Sequence, residues 1–280
     1  KGFSGNRKLI SNLDNYPFPN RELVDFNPYF NIWKKHHHFT SILISTTRGC
    51  PYNCTWCSRP VFGKSYRQNS PARVVEEIKY LKSKYNPDQL WINDDIFGIN
   101  KKWIHEFHTL MMKQNIILPY ECLCRVDLVN NEMLKQLKET GCFRIWFGAE
   151  TGSQKILDKM NKKFTVNDIK KGVELTKLAG IEVGFFIMLG YPGETISDIE
   201  QTEKLIIDTK PDYCGIAIAY PLKNTAFYNE IKNKINTNKI NSRFENKNQI
   251  VFSGAYPQIF YNLIRRLLNK EIDLYNHPDS

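Results

Sequence analysis

Residues 46–60 read TTRGCPYNCTWCSRP, and three of the chain's seven cysteines, Cys50, Cys54 and Cys57, fall within eight positions. In a reducing compartment, thiols grouped this closely serve as metal ligands or catalytic groups more often than as disulfides. A structural zinc site takes four protein ligands, and an ordinary ferredoxin cluster takes four cysteines. Three cysteines can instead hold three irons of a 4Fe-4S cube and leave one iron open to a substrate or cofactor. Cys122 and Cys124 could in principle offer a fourth ligand, but they fall on an expected strand and are read as pointing to opposite faces. A non-catalytic zinc or nucleic-acid-binding module is the competing reading from another class.

The elements that must position these thiols form a rhythm of short apolar runs and amphipathic segments. Strands are expected near 41–46, 89–94, 119–126, 143–150, 182–189 and 213–220. Helices are expected near 70–84, 101–114, 130–140, 153–160, 165–179 and 195–209. Ser70-Pro71 and Asn100 suit helix starts, while Gly141 and Gly180 suit helix ends. Six β-then-α units in succession imply parallel strands with crossover helices. Neither GxGxxG nor a GK[ST] loop follows the first strand, which weakens a doubly wound reading. Polar residues instead gather at strand C-terminal ends: Arg48 with the cysteines, Asp94 and Asp95, Arg125 and Asp127, Glu150, then GYPGE and YPLKNT. Barrels place their chemistry there.

Composition excludes several classes. A chain of 280 residues with 41% hydrophobic content can bury a substantial core. It has no apolar run of eighteen residues and no signal-peptide core, so a cytoplasmic protein without a membrane span is expected. The formal charge is +10, but the lysines are dispersed over helix surfaces, with a thinner excess between 223 and 248. Nucleic acid is therefore not the favoured partner. The chain does not begin with Met, which leaves two readings open: a piece of a longer protein, or a member without the further domain.

CPYNCTWC has the CxxxCxxC spacing of the radical S-adenosylmethionine (radical SAM) superfamily. TTRGCPYNCTWCS resembles the form in its branch of cobalamin-dependent enzymes and methylthiotransferases. WINDDIF, CRVDLVNNEMLKQLKETGC, FGAETGSQKILDKMNKKFT and GFFIMLGYPGET resemble that branch's successive strand-end segments, over roughly residues 40 to 225. The resemblance implies an α/β fold, a partial (β/α)6 TIM-like barrel of parallel strands. It also implies that Cys50, Cys54 and Cys57 ligate a 4Fe-4S cluster whose open iron is chelated by S-adenosylmethionine. Reductive cleavage would then give a 5′-deoxyadenosyl radical that abstracts hydrogen from substrate, the electron coming from a donor such as flavodoxin or ferredoxin.

Carried over residue by residue, Trp56 matches an aromatic position near adenine, and Arg125 suits the cofactor's carboxylate through its paired donors. Glu150 resembles the acidic residue that contacts the amino group or ribose. Gly190 resembles the point where the backbone passes close to adenine. Asp94 is weighed evenly between a contact to the ammonium or substrate and turn chemistry before Asn100. Asp95 is the weaker candidate.

LISNLDNYPFPNRELVDF resembles the connector that follows a cobalamin domain. Residues 1–40 are accordingly expected to be an irregular connector, 41–225 the barrel, and 226–280 a C-terminal extension that covers the barrel mouth or binds substrate. Cobalamin held by a domain outside this sequence would point to methylation or rearrangement of an unknown substrate. A tRNA methylthiotransferase-like enzyme is the nearest alternative. Several features have plainer readings: His36, His37 and His38 as a solvated loop, Cys142 and Cys214 as core residues, Glu194 and Thr195 as a helix start, and Arg48 and Arg144 as interior charges with structural partners.

Overall fold

The structure, a computed structural model, describes residues 9–57, 63–235 and 255–276. Six parallel strands form one curled half-barrel in the order β1 (Ser41–Ile44), β4 (Gln89–Ile92), β5 (Tyr120–Cys124), β6 (Cys142–Glu150), β7 (Glu182–Leu189) and β8 (Tyr213–Ile218). Between β1 and β4 lies an antiparallel ribbon of β2 (Thr47–Arg48) and β3 (Arg67–Gln68), which brackets the cysteine loop. The helices are α1 (Asn27–His37), α2 (Pro71–Tyr85), α3 (Lys101–Lys113), α4 (Asn131–Glu139), α5 (Gln154–Lys159), α6 (Val166–Leu178), α7 (Ile196–Thr209), α8 (Ala226–Ile231) and α9 (Gln258–Asn276).

Alternation along the strands separates two environments. In β7, Val183, Phe185, Ile187 and Leu189 are buried in the core shared with the helices, whereas Gly184, Phe186 and Met188 face the concave side. Two glycines shape that concave face. A Cβ on Gly184 would stand 2.4 Å from the Trp146 ring, and one on Gly215 would stand 3.2 Å from Phe186. Trp146 can therefore lie across β7 and stack on Phe186, with ring centroids 4.9 Å apart.

Local chemistry sets the helix ends. The Ser70 side chain accepts from the Arg73 N–H with Pro71 in the first turn, and Asn100 accepts from Trp103. Thr165 with Asp168 and Thr195 with Asp198 form reciprocal capping boxes. Gly141, at φ 105, closes α4, and a Cβ there would fall 2.6 Å from the Leu118 carbonyl oxygen.

Three regions depart from the sequence reading. Residues 27–37 form a helix, with His36 and His37 in its last turn and His38 as a left-handed C-cap, where an irregular chain was expected. Its Pro, Asn and His content reads as loop, and none of its residues is buried. Near the C-terminus, α9 packs against α7 and β8, burying Tyr261 and Leu268 and donating from the Tyr275 hydroxyl to the Pro211 carbonyl. Of the expected cover or substrate region, 226–280, residues 236–254 and 277–280 lie outside the described residues. Cys122 and Cys124, finally, share one face, because alternate residues of a strand do. Both are buried, Cys142 beside Cys122 helps hold its thiol protonated, and Cys124, at the strand's end, also borders the cavity of the cysteine loop. Among the described residues, no helix is long and apolar enough to cross a membrane.

Candidate functional site

The cysteine loop leaves β2 through Gly49, whose φ is 87. A Cβ at this position would fall 2.0 Å from the Ser65 carbonyl oxygen, so only glycine lets residues 63–65 close on the start of the loop. The Cys50 N–H donates to the Gly63 carbonyl at 3.3 Å. Farther along, the Thr55 N–H donates to the Met160 carbonyl (3.0 Å), and the Asn161 side chain donates to the Asn53 carbonyl (2.8 Å). The Thr55 hydroxyl lies 2.7 Å from the Tyr191 hydroxyl, while its carbonyl accepts from the Phe227 N–H. Contacts from α5, the end of β7 and α8 thus hold the loop above the barrel.

Cys50, Cys54 and Cys57 are half-buried thiols outside any disulfide, and all three line one cavity of about 150 Å³. Burial raises the Cys50 thiol pKa, with smaller upward pushes from Cys57 and Cys54. Among the described residues, no three His, Cys, Asp or Glu side chains close on a single metal ion. A cube binds each thiolate at a different corner, so it asks for a wider arrangement than one ion does. Three thiols lining one cavity are the donor set such a cube takes when one iron is left to another ligand.

Charged residues line the same cavity. Glu150, with left-handed φ 65, places Oε1 3.0 Å from Lys162 Nζ, and both side chains are almost wholly buried. Gly148 makes room for this pair, since a Cβ there would lie 2.8 Å from Glu150 Oε1 and 3.1 Å from Lys162 Nζ. Arg125 also lines the cavity, but Nε and Nη2 each donate to the Asp127 carboxylate at 2.9 Å, and Nη2 reaches the Lys162 carbonyl at 2.7 Å. Its guanidinium sits 3.8 Å from the Tyr52 ring centroid and 4.9 Å from that of Phe164. The paired donors foreseen for a cofactor carboxylate are therefore already committed to Asp127. Trp56 lines the same space, with a buried Nε1–H that has no hydrogen-bond partner among the described residues.

Two residues named from the sequence stand apart from the cavity lining. Asp94 is buried, with Oδ1 accepting from the Thr46 and Thr47 N–H groups (2.7 and 2.9 Å) and Oδ2 from the Thr46 hydroxyl (2.5 Å). Burial lifts its pKa to about 6 against these hydrogen bonds. Asp94 anchors the turn between β1 and the cysteine loop, while Asp95 is the neighbour that lines the cavity, its pKa raised by desolvation. Gly190, at φ 81, donates its N–H to Glu194 and leads into Tyr191, so it supports the loop from behind. Glu194 precedes α7 and does not begin it. Arg144 is an interior charge paired with Glu121 and Glu182, and Arg48 lies over the Tyr16 ring.

The sequence matches the family described as the Radical SAM superfamily over residues 44–206, more than half of the chain. The chain belongs to the radical SAM superfamily. It is 30% identical over 223 residues to PH0819, an uncharacterized methyltransferase from Pyrococcus horikoshii, covering 79% of this chain and 48% of that protein. It is 31% identical to MJ0865, a putative methylthiotransferase from Methanocaldococcus jannaschii, covering 66% of this chain and 43% of that protein. The radical SAM chain described here thus spans about half the length of the curated relatives it matches. Its fold resembles that of OxsB, a cobalamin-dependent S-adenosylmethionine radical enzyme (TM-score 0.63, 14% identity, 84% of this chain and 41% of that one). It also resembles TsrM, a radical S-adenosylmethionine methyltransferase from Kitasatospora setae (TM-score 0.61, 22% identity, 69% and 39%).

Sequence reasoning did not single out Lys162, which lines this cavity, and it ranked Asp95, which also lines it, below Asp94, which does not. Left-handed residues Asn161 (φ 56) and Lys163 (φ 61) flank Lys162, and it is buried while Lys159 and Lys163 are exposed. The available signal was a lysine in the short turn between two expected helices, inside an otherwise lysine-rich stretch.

Proposed function

We propose that this chain is the core of a radical SAM enzyme whose Cys50, Cys54 and Cys57 hold a 4Fe-4S cluster. The observation that carries the reading is one cavity lined both by the three thiols of the loop and by the buried Glu150–Lys162 pair. Held by Cys50, Cys54 and Cys57, such a cluster would supply the electron for reductive cleavage of S-adenosylmethionine and hence for hydrogen abstraction from substrate. The chain's own residues bind and orient. Lys162 offers an ammonium to the cofactor's carboxylate, a task for which Arg125 lacks a free fork. Glu150 and Asp95 offer carboxylates to its amino group or ribose. Trp56 presents an apolar face and a free N–H beside the thiols and shields them from water. Gly190 acts through the turn that lets Tyr191 brace Thr55.

Methyl transfer is the favoured outcome, supported by the names of PH0819 and TsrM. Cobalamin use is supported by the fold shared with OxsB. The test is anaerobic reconstitution with iron and sulfide. It should yield a brown protein with about four irons per chain that forms 5′-deoxyadenosine from S-adenosylmethionine under reduction. Cys54→Ala should lose both properties. A colourless protein that leaves the cofactor intact would refute the proposal.

A further inference from the structure

Arg125 follows the last residue of β5, and its side chain is only 8% exposed. A guanidinium held out of water is costly unless its donors and its charge find partners. Here Asp127 takes Nε and Nη2, and the rings of Tyr52 and Phe164 lie against the cation, with centroids 3.8 and 4.9 Å away. Those two rings belong to different segments. Tyr52 sits between Cys50 and Cys54 in the cysteine loop, whereas Phe164 lies in the turn between α5 and α6. In the same turn, the Lys162 carbonyl accepts from Arg125 Nη2 at 2.7 Å, and the Lys162 ammonium lies 5.3 Å from the Phe164 centroid. Loop and turn also clasp each other directly, from the Asn161 side chain to the Asn53 carbonyl and from the Thr55 N–H to the Met160 carbonyl. Arg125 therefore ties the strand end to both segments at once. Its charge is balanced by Asp127, and what it gives the cavity is contact.

We infer that Arg125 is a positioning residue. By gripping the Tyr52 ring and the Lys162 carbonyl together, it sets where the thiols of the loop stand relative to the Lys162 ammonium. A planar, delocalised cation suits this task, because one group can stack on an aromatic ring while its edge donates to a carboxylate and a carbonyl. The inference rests on the proposed cluster and goes beyond it, since it gives Arg125 a role exerted through Tyr52 and Lys162 and not through contact with the cofactor.

The test challenges anaerobically reconstituted protein with the iron chelator bathophenanthroline disulfonate and records the electron paramagnetic resonance of the reduced cluster. Arg125→Gln and Tyr52→Leu should each release iron at least tenfold faster than the parent, the scale of a desolvated cation–π contact. Both should alter the resonance, and the double variant should go no further than Arg125→Gln alone, because the two changes remove one shared contact. Tyr52→Phe keeps the ring and should match the parent. Arg125→Lys keeps the charge without the planar fork and should not restore slow release. Tyr52→Leu against Tyr52→Phe decides the case if Arg125→Gln does not fold. Additive effects, or full rescue by Arg125→Lys, would overturn the inference. So would parent-like iron release in Arg125→Gln with S-adenosylmethionine binding lost in equilibrium dialysis, because Arg125 would then be a direct cofactor contact. A parent that assembles no cluster would sink the proposed function and this inference with it. A parent holding about four irons, with variants that behave as it does, would sink the inference alone.

Discussion

Replacing Lys162 with Gln removes one member of an ion pair whose side chains are only 6% and 5% exposed. The Lys162 backbone carbonyl still accepts from Arg125 Nη2, so the loop keeps its main-chain tie. Glu150 then keeps a buried charge without its partner. Breaking a buried pair in this way costs about 3–5 kcal/mol, whereas replacing both members costs much less. The double variant Glu150→Gln/Lys162→Gln should therefore recover most of the loss, leaving it within about 1–2 kcal/mol of the parent. Urea denaturation of the four chains in the cycle, without iron, gives the coupling energy directly. Equilibrium dialysis of S-adenosylmethionine against reconstituted protein then separates the roles. The double variant should be nearly as stable as the parent yet bind the cofactor at least tenfold more weakly, about 1.4 kcal/mol. A cost below about 1 kcal/mol for Lys162→Gln would refute the buried-pair reasoning. Undiminished cofactor binding in the double variant would remove both residues from the proposed site.

Asp94→Ala orphans the Thr46 and Thr47 N–H groups and should cost about 2–6 kcal/mol, from roughly 1–3 for each buried donor left unpaired. Asp94→Asn, which keeps an acceptor, should cost less than half as much by the same denaturation assay. Burial lifts Glu194 to about 8, with one oxygen accepting from the Gly190 N–H and the other unpartnered. A carboxyl raised this way favours folding at low pH and loses that contribution as pH climbs through its folded value. Between pH 6 and 9 the parent should therefore lose about 2–3 kcal/mol relative to Glu194→Gln, at about 1.4 kcal/mol per pH unit up to its folded pKa. A pH-independent difference between the two proteins would contradict the assignment. Gly184→Ala drives a methyl group into the Trp146 ring and should cost about 1–3 kcal/mol by overpacking. Its tryptophan fluorescence should shift as Trp146 leaves Phe186, and an unchanged spectrum would count against the stacking role.

The β/α rhythm was legible because it depends on local periodicity. The strand expected at 182–189 forms over those residues, and the helix starts at Ser70-Pro71 and Asn100 are set by neighbours three residues away. Helix α1 was not legible because its turn-forming residues masked a short apolar stripe. Helix α9 was missed because what stabilises it is its packing on α7 and β8, far away in sequence. Cys122 and Cys124 show a different failure, a misapplied period of two, which the buried pair on one face of β5 corrects.

By itself, the sequence determined how many thiols the loop offers and how they are spaced, since three cysteines in eight positions must lie close together in any fold. It also determined that six strand ends carry polar side chains. Only the tertiary structure decided which of those groups share the cavity. Asp94 and Asp95 are adjacent, yet the N–H groups of Thr46 and Thr47 draw one into the protein and leave the other facing the thiols. Arg125 looked free until Asp127 occupied its fork, and Lys162 looked like any surface lysine until two left-handed residues turned it onto Glu150. These outcomes depend on which groups the folded chain brings within hydrogen-bonding distance, and residue type and spacing do not carry that information.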